Sequence, residues 1–236
     1  MARSMGVAII GSGILVVDEH LPAVQACDEL SLKAIYSRTL KSAQEASKDL
    51  SGVDLYSEDS EMSYRELTPR TGRCRGGHHC PRDTSSPDLH PQALAAGNHV
   101  LAEKPLAKDL ATALELLDWC KNNTDPSKVL FAVAENFRFT GVFAKAAEQV
   151  QALGKIQVLN AKVHFHIADG WKYTNTAWRQ KPEYQGGYLL DFGVHMMAVI
   201  RRPVGKEARV KQISAFTSAI AAPPSLGRYH DCYPAA

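Results

Sequence analysis

Short apolar runs punctuate the first 135 residues, and a helical pattern follows each of them. Val7 to Ile10 is continuously apolar and stops at Gly11, the pattern of a strand buried on both faces. A glycine-rich turn and a helix start come next, and Pro22 is placed to open a helical turn at its first position. Leu32–Tyr36 and Val53–Tyr56 predict a second and a third strand, with helices over Leu40–Leu50 and Glu61–Leu67. Gln92–Ala96 predicts a helix stopped by Gly97, followed by strands at His99–Ala102 and Val129–Val133. Between these strands Asp109 is placed to cap a helix whose Leu110, Ala113, Leu114 and Leu117 fall on one face. Strands alternating with helices predict a parallel α/β sheet with right-handed crossovers.

The texture changes after Asn136. Val142–Leu153 predicts a helix. Leu159, Ala161, Val163, Phe165 and Ile167 then alternate with polar residues, as in a strand with one buried face. Val210–Thr217 predicts another strand of the same sheet. The expected fold class is therefore α/β. A Rossmann doubly wound parallel sheet over residues 1–135 precedes an incomplete α+β substrate domain with an open antiparallel sheet over 136–236. Subunits could pair through that second sheet.

One central strand is missing from the pattern. Between Leu67 and Leu89 there is no Val, Ile, Leu, Met or aromatic residue, although the alternation demands a buried strand there. Three readings stand: a long surface loop, a metal knuckle built from Cys74, His78, His79 and Cys80, or a misread coding segment. The cramped spacing disfavours the knuckle, so no metal is expected. The abrupt change and recovery favour the third reading. The segment from Ala221 to Ala236 also lacks periodicity.

The formal charge of +2 on 236 residues recommends neither a nucleic-acid nor a membrane-surface partner. No stretch approaches the roughly 20 apolar residues of a membrane span, and the N-terminus lacks a signal-peptide pattern. Five scattered cysteines look like reduced thiols rather than a disulfide framework. A cytoplasmic chain acting on a small molecule is the expectation.

Gly11-Ser12-Gly13-Ile14 directly follows the first strand. A dinucleotide pyrophosphate needs close backbone approach at a helix start, which bare glycines permit. The third glycine position of that motif is Val16, a departure expected to loosen helix–strand packing. The second strand ends at Ser37-Arg38 with no Asp or Glu for the ribose hydroxyls. That favours NADP over NAD, against the plainer reading of Arg38 as a solvated surface residue. Asp191 and His195 stand one turn apart on a helix that is apolar nearly all round, where polar groups need a reason. They are either a catalytic couple or a structural pair. Gly193 between them suggests that something approaches the backbone there.

Ala95-Ala96-Gly97-Asn98-His99-Val100-Leu101-Ala102-Glu103-Lys104-Pro105 resembles the A-G-K-H-V-x-x-E-K-P signature of the Gfo/Idh/MocA oxidoreductases. Glu135-Asn136-Phe137-Arg138-Phe139 resembles the segment leading into that family's substrate domain. Trp178-Arg179, with Gly186-Gly187-Tyr188-Leu189-Leu190-Asp191-Phe192-Gly193-Val194-His195, resembles a third signature. The resemblance implies a dehydrogenase or reductase moving a hydride between a nicotinamide and a polyol, sugar or related alcohol or carbonyl. It implies Lys104, Asp191 and His195 as catalytic residues, with His195 as general acid/base, Asp191 orienting it and Lys104 stabilising oxyanion charge. It adds Glu103, Lys104 and Pro105 to the cofactor contacts. Trp178, Arg179 and Tyr184 would wall the substrate site, or serve as packing residues. The rival expectations are a non-catalytic dinucleotide-binding relative or inactive product, and a metal-binding module on residues 74–80.

Overall fold

The computed structural model describes residues 4–64, 66–67, 76–79, 89–166, 171–173, 176, 187–205 and 208–216; of 76–79 and 187–189 only the backbone is described. The chain divides into two compact units, Met1–Ala134 and Glu135–Ala236.

In the first unit, β1 (Met5–Ile10), β2 (Leu30–Ser37), β3 (Asp54–Ser57), β4 (Gly76–His79), β5 (His99–Ala102) and β6 (Phe131–Val133) form one sheet in the order β3-β2-β1-β4-β5-β6. Every pairing is parallel. This is the doubly wound order, whose ligand crevice lies beyond the strands' C-terminal ends. The continuous apolar runs are buried as the pattern predicts. Ile9 and Ile35 are fully buried, packing with Val16, Leu21, Val24 and Ala43 on one side of the sheet. Ala8, Ile10, Tyr36, Tyr56, Tyr64 and Leu67 pack on the other. Each such aliphatic side chain contributes about 1.5–3 kcal/mol of burial.

Two expectations are corrected here. The central strand missing from the hydrophobic pattern is present as backbone: β4 runs Gly-Gly-His-His and pairs with β1 on one side and β5 on the other. Ladder hydrogen bonds use only main-chain groups, so neighbours on both sides can hold a strand that lacks an apolar signature. Cys74 and Cys80 lie outside the described residues, and the knuckle reading lies there with them. Val16, expected to loosen the packing, is fully buried in the core. The chain winds as a π-helix over Val16–His20 before α1 (Leu21–Gln25).

The flanking helices are α2 (Leu40–Ala46), α3 (Leu89–Ala95) and α4 (Leu110–Asn123). Asp109 caps α4, its carboxylate accepting from the Thr112 amide at 2.8 Å. The face α4 buries is not the expected one. Leu116, Trp119 and Cys120 pack toward Leu94, Val100 and Phe131, whereas Leu110 is 75% exposed and Leu114 50%. The helix carries apolar residues on two sides, and periodicity alone does not choose between them.

In the second unit, α5 (Gly141–Ala152) packs against α6 (Gly187–Val204), and Gln151 Nε2 donates to the Arg202 carbonyl at 3.0 Å. The alternating residues of 158–166 and the segment 208–216 differ from expectation: they form no strand among the described residues. Val163 and Phe165 are about half exposed, and Phe216 is 99% exposed. A period-two segment buries its apolar face only when a partner strand and a facing layer are present.

Candidate functional site

The crevice edge of the first unit gathers three segments the sequence singles out. Beyond β1, Gly11 adopts φ 119°, a conformation closed to most side chains, and its amide donates to the Tyr36 carbonyl at 2.7 Å. This bond ties the turn to the end of β2. Ser12 Oγ and Ser37 Oγ share a hydrogen bond of 2.6 Å, which joins the two segments again. Gly13 accepts from the Val16 amide at 2.9 Å as the helix begins. A methyl group placed on Gly13 would meet nothing within 4 Å among the described residues beyond its chain neighbours. Ile14 is half-buried behind this turn, and Arg38 is exposed beside it. A turn with bare backbone at Gly11 and Gly13 before a helix start, with the Ser12 and Ser37 hydroxyls beside it, fits a dinucleotide's pyrophosphate and ribose.

Beyond β5, Glu103 is held by both carboxylate oxygens. Oε1 pairs with His20 Nε2 at 2.7 Å, and Oε2 accepts from the Lys104 amide at 3.1 Å. Lys104 and Pro105 are half-buried and joined by a cis peptide. His20 comes from the π-helical segment that follows the glycine turn. It therefore links the β1 and β5 segments, a contact that sequence reading missed because 83 positions separate the partners. Glu58, just past β3, accepts from the Tyr36 hydroxyl; burial first, and then this carboxylate, push the Tyr36 hydroxyl's pKa upward.

The second unit carries His195 on α6, 9% exposed. Its Nδ1 lies 2.6 Å from Oε1 of Glu135, itself 8% exposed. The same Glu135 oxygen accepts from the Phe137 amide at 3.1 Å, capping a short 3-10 turn over Asn136–Arg138. The Phe137 ring stacks on the imidazole with centroids 4.3 Å apart and planes 19° apart. Phe192 meets the histidine edge-on at 6.1 Å and packs on Phe165 at 4.8 Å. Asp191 is half-buried one turn before His195. The carboxylate on Nδ1 is thus Glu135 rather than Asp191. Glu135 sits in a motif the sequence marks, yet helix periodicity does not reveal a partner 60 residues away. Trp178, Arg179 and Tyr184 lie outside the described residues.

Among the described residues no group of His, Cys, Asp and Glu is arranged to hold a metal ion, and no helix is long and apolar enough to cross a membrane.

Comparison with known proteins gives two family matches. Residues 5–131 match the Gfo/Idh/MocA oxidoreductase family model, described as an NAD-binding Rossmann fold, and residues 143–229 match the family's C-terminal domain. The dehydrogenase FPY6 of Fusarium mangiferae is 37% identical over 221 residues, covering 91% of this chain and 62% of its own length. The dTDP-3,4-didehydro-2,6-dideoxy-alpha-D-glucose 3-reductase of Streptomyces violaceoruber is 26% identical, covering 89% of this chain and 57% of that protein. A Thermotoga maritima oxidoreductase of known structure aligns with a TM-score of 0.75 at 29% identity, over 86% of this chain and 61% of its own. The chain thus spans roughly three-fifths of the length of these relatives. With a doubly wound sheet, a glycine turn at its crevice edge and family matches across both units, the chain belongs to the Gfo/Idh/MocA family of oxidoreductases.

Proposed function

We propose that this chain works as an NADP-preferring dehydrogenase or reductase on a polyol, sugar or related small alcohol or carbonyl compound. The observation that carries the reading is the convergence of Gly11–Gly13, Ser37–Arg38 and Glu103–Pro105 on the C-terminal edge of one parallel sheet. The backbone of Gly11 and Gly13 receives the pyrophosphate, and Ile14 lies behind it. Ser37 and the exposed Arg38 receive a 2′-phosphate, since Arg offers a fixed charge and a fork of donors. The nicotinamide, when bound, accepts or donates the hydride.

The chain's own residues handle the proton and the charge. His195 exchanges a proton with the substrate oxygen. Lys104 is, on the family resemblance, the candidate for stabilising negative charge on a reacting oxygen. Asp191 presents its carboxylate one turn away for hydrogen bonding to a substrate hydroxyl or the relay. Trp178, Arg179 and Tyr184 stand as substrate-wall candidates on the family resemblance. The sugar-like substrate class rests on that resemblance and on the reductase relative.

The test is turnover of NADPH or NADP across a panel of polyols, aldoses and keto-sugars, with Lys104→Met beside the wild type. The expected outcome is wild-type turnover, abolished in Lys104→Met with cofactor affinity retained. Cofactor binding without turnover of any compound would instead make the chain a dinucleotide-binding protein.

A further inference from the structure

We infer that Glu135 is the positioning residue for His195, a role that rests on the acid–base assignment just proposed. Three observations carry it. The contact is short, 2.6 Å between Nδ1 and Oε1, and both side chains are nearly excluded from solvent. An ionised carboxylate only accepts, so the Nδ1 hydrogen points at Glu135 and the neutral ring keeps Nε2 as its basic nitrogen. The Phe137 ring, stacked 4.3 Å away, fixes the plane of the imidazole. The amide of the same Phe137 donates to the same carboxylate oxygen. One residue therefore sets the tautomer while its neighbour sets the tilt, and a two-residue offset locks the two together.

During turnover a proton leaves the substrate hydroxyl for Nε2, or returns from it, while the Nδ1 hydrogen stays in the Glu135 bond. The resulting imidazolium rests against a buried carboxylate. Such an arrangement holds a general base in its productive tautomer. Asp191, one turn along the same helix, is then left for contacts other than the Nδ1 bond.

Glu135→Leu removes the acceptor, and Glu135→Gln is the conservative control. One oxygen takes both bonds, so a Gln carbonyl in its place still accepts from the Phe137 amide and from Nδ1–H, whereas Leu accepts from neither. Two readouts decide. In nitrogen-15 NMR of the full chain without cofactor, the neutral His195 ring of the wild type is expected in the Nδ1–H form; Glu135→Leu is expected to shift it toward Nε2–H and Glu135→Gln to keep it. In steady-state kinetics Glu135→Leu is expected to lose at least about tenfold in kcat, more than Glu135→Gln, with KM and cofactor affinity unchanged.

Wild-type His195 found in the Nε2–H form overturns the inference, as does a folded Glu135→Leu variant with wild-type kcat. A wild type without any turnover would sink the proposed reaction instead. The NMR arm would still decide whether Glu135 sets the tautomer, and it needs no variant to fold for its first reading.

Discussion

Substituting Gly13 with alanine separates the fold from cofactor binding more cleanly than any other single change. A methyl group there meets nothing within 4 Å among the described residues beyond its chain neighbours, and the backbone is not in a glycine-only conformation. The cofactor-free variant should therefore match the wild type or gain about 0.4–1 kcal/mol from a stiffer unfolded chain. On the proposed reading, a bound pyrophosphate would take the space the methyl fills. Displacing it breaks one or two charge-assisted hydrogen bonds worth about 1.5–3 kcal/mol each, so about 3 kcal/mol is lost and affinity falls roughly a hundredfold. At a concentration about a hundred times the wild-type Kd, cofactor stabilises the wild type by about 2.7 kcal/mol, but the variant by only about 0.4 kcal/mol. For a chain of this size that difference removes about 5–9 °C of the cofactor-induced rise in Tm. The assay is thermal unfolding with and without NADPH. A Gly13→Ala protein that keeps the full cofactor-induced rise would refute the placement of the pyrophosphate. Gly11→Ala should behave differently. With φ 119° it strains the turn and lowers the cofactor-free Tm as well, by about 1–3 kcal/mol of stability.

Burial lowers the His90 pKa to about 4, with its ring edge-on to Phe131. Folding therefore favours the neutral ring. Stability is full above the unfolded value near 6.5 and is lost as pH falls toward 4, by roughly 2 kcal/mol between about pH 7 and about pH 5. Urea midpoints at the two pH values check this, and His90→Phe should flatten the dependence. Replacing Arg38 with Ala should weaken NADPH binding at least about tenfold while leaving NADH binding within about twofold, as read by fluorescence titration; equal losses for both would remove the 2′-phosphate assignment. Gly193 lies inside α6, and an added methyl meets nothing within 4 Å among the described residues beyond its own helix backbone and chain neighbours, so Gly193→Ala should raise stability by about 0.5–1 kcal/mol, measured by chemical denaturation.

The sheet and its crevice were legible because their signals are local. Val7–Ile10 and Leu32–Tyr36 are unbroken apolar runs, and Gly11-Ser12-Gly13 follows the first of them directly. β4 was illegible because its residues carry no hydrophobic signature; parallel neighbours on both sides supply its hydrogen bonds. The buried face of α4 was misjudged because Leu116, Trp119 and Cys120 compete with Leu110, Leu114 and Leu117 on an equally apolar surface. His20 and Glu135 escaped for another reason. Each finds its partner across a long stretch of chain, and no periodicity encodes a contact between a helix and a distant strand end.

Calorimetric titration of the wild-type chain with NADPH, and separately with NADH, tests the central claim most directly. One saturable site per chain is expected, tighter for NADPH. The absence of saturable binding by either dinucleotide would contradict the account.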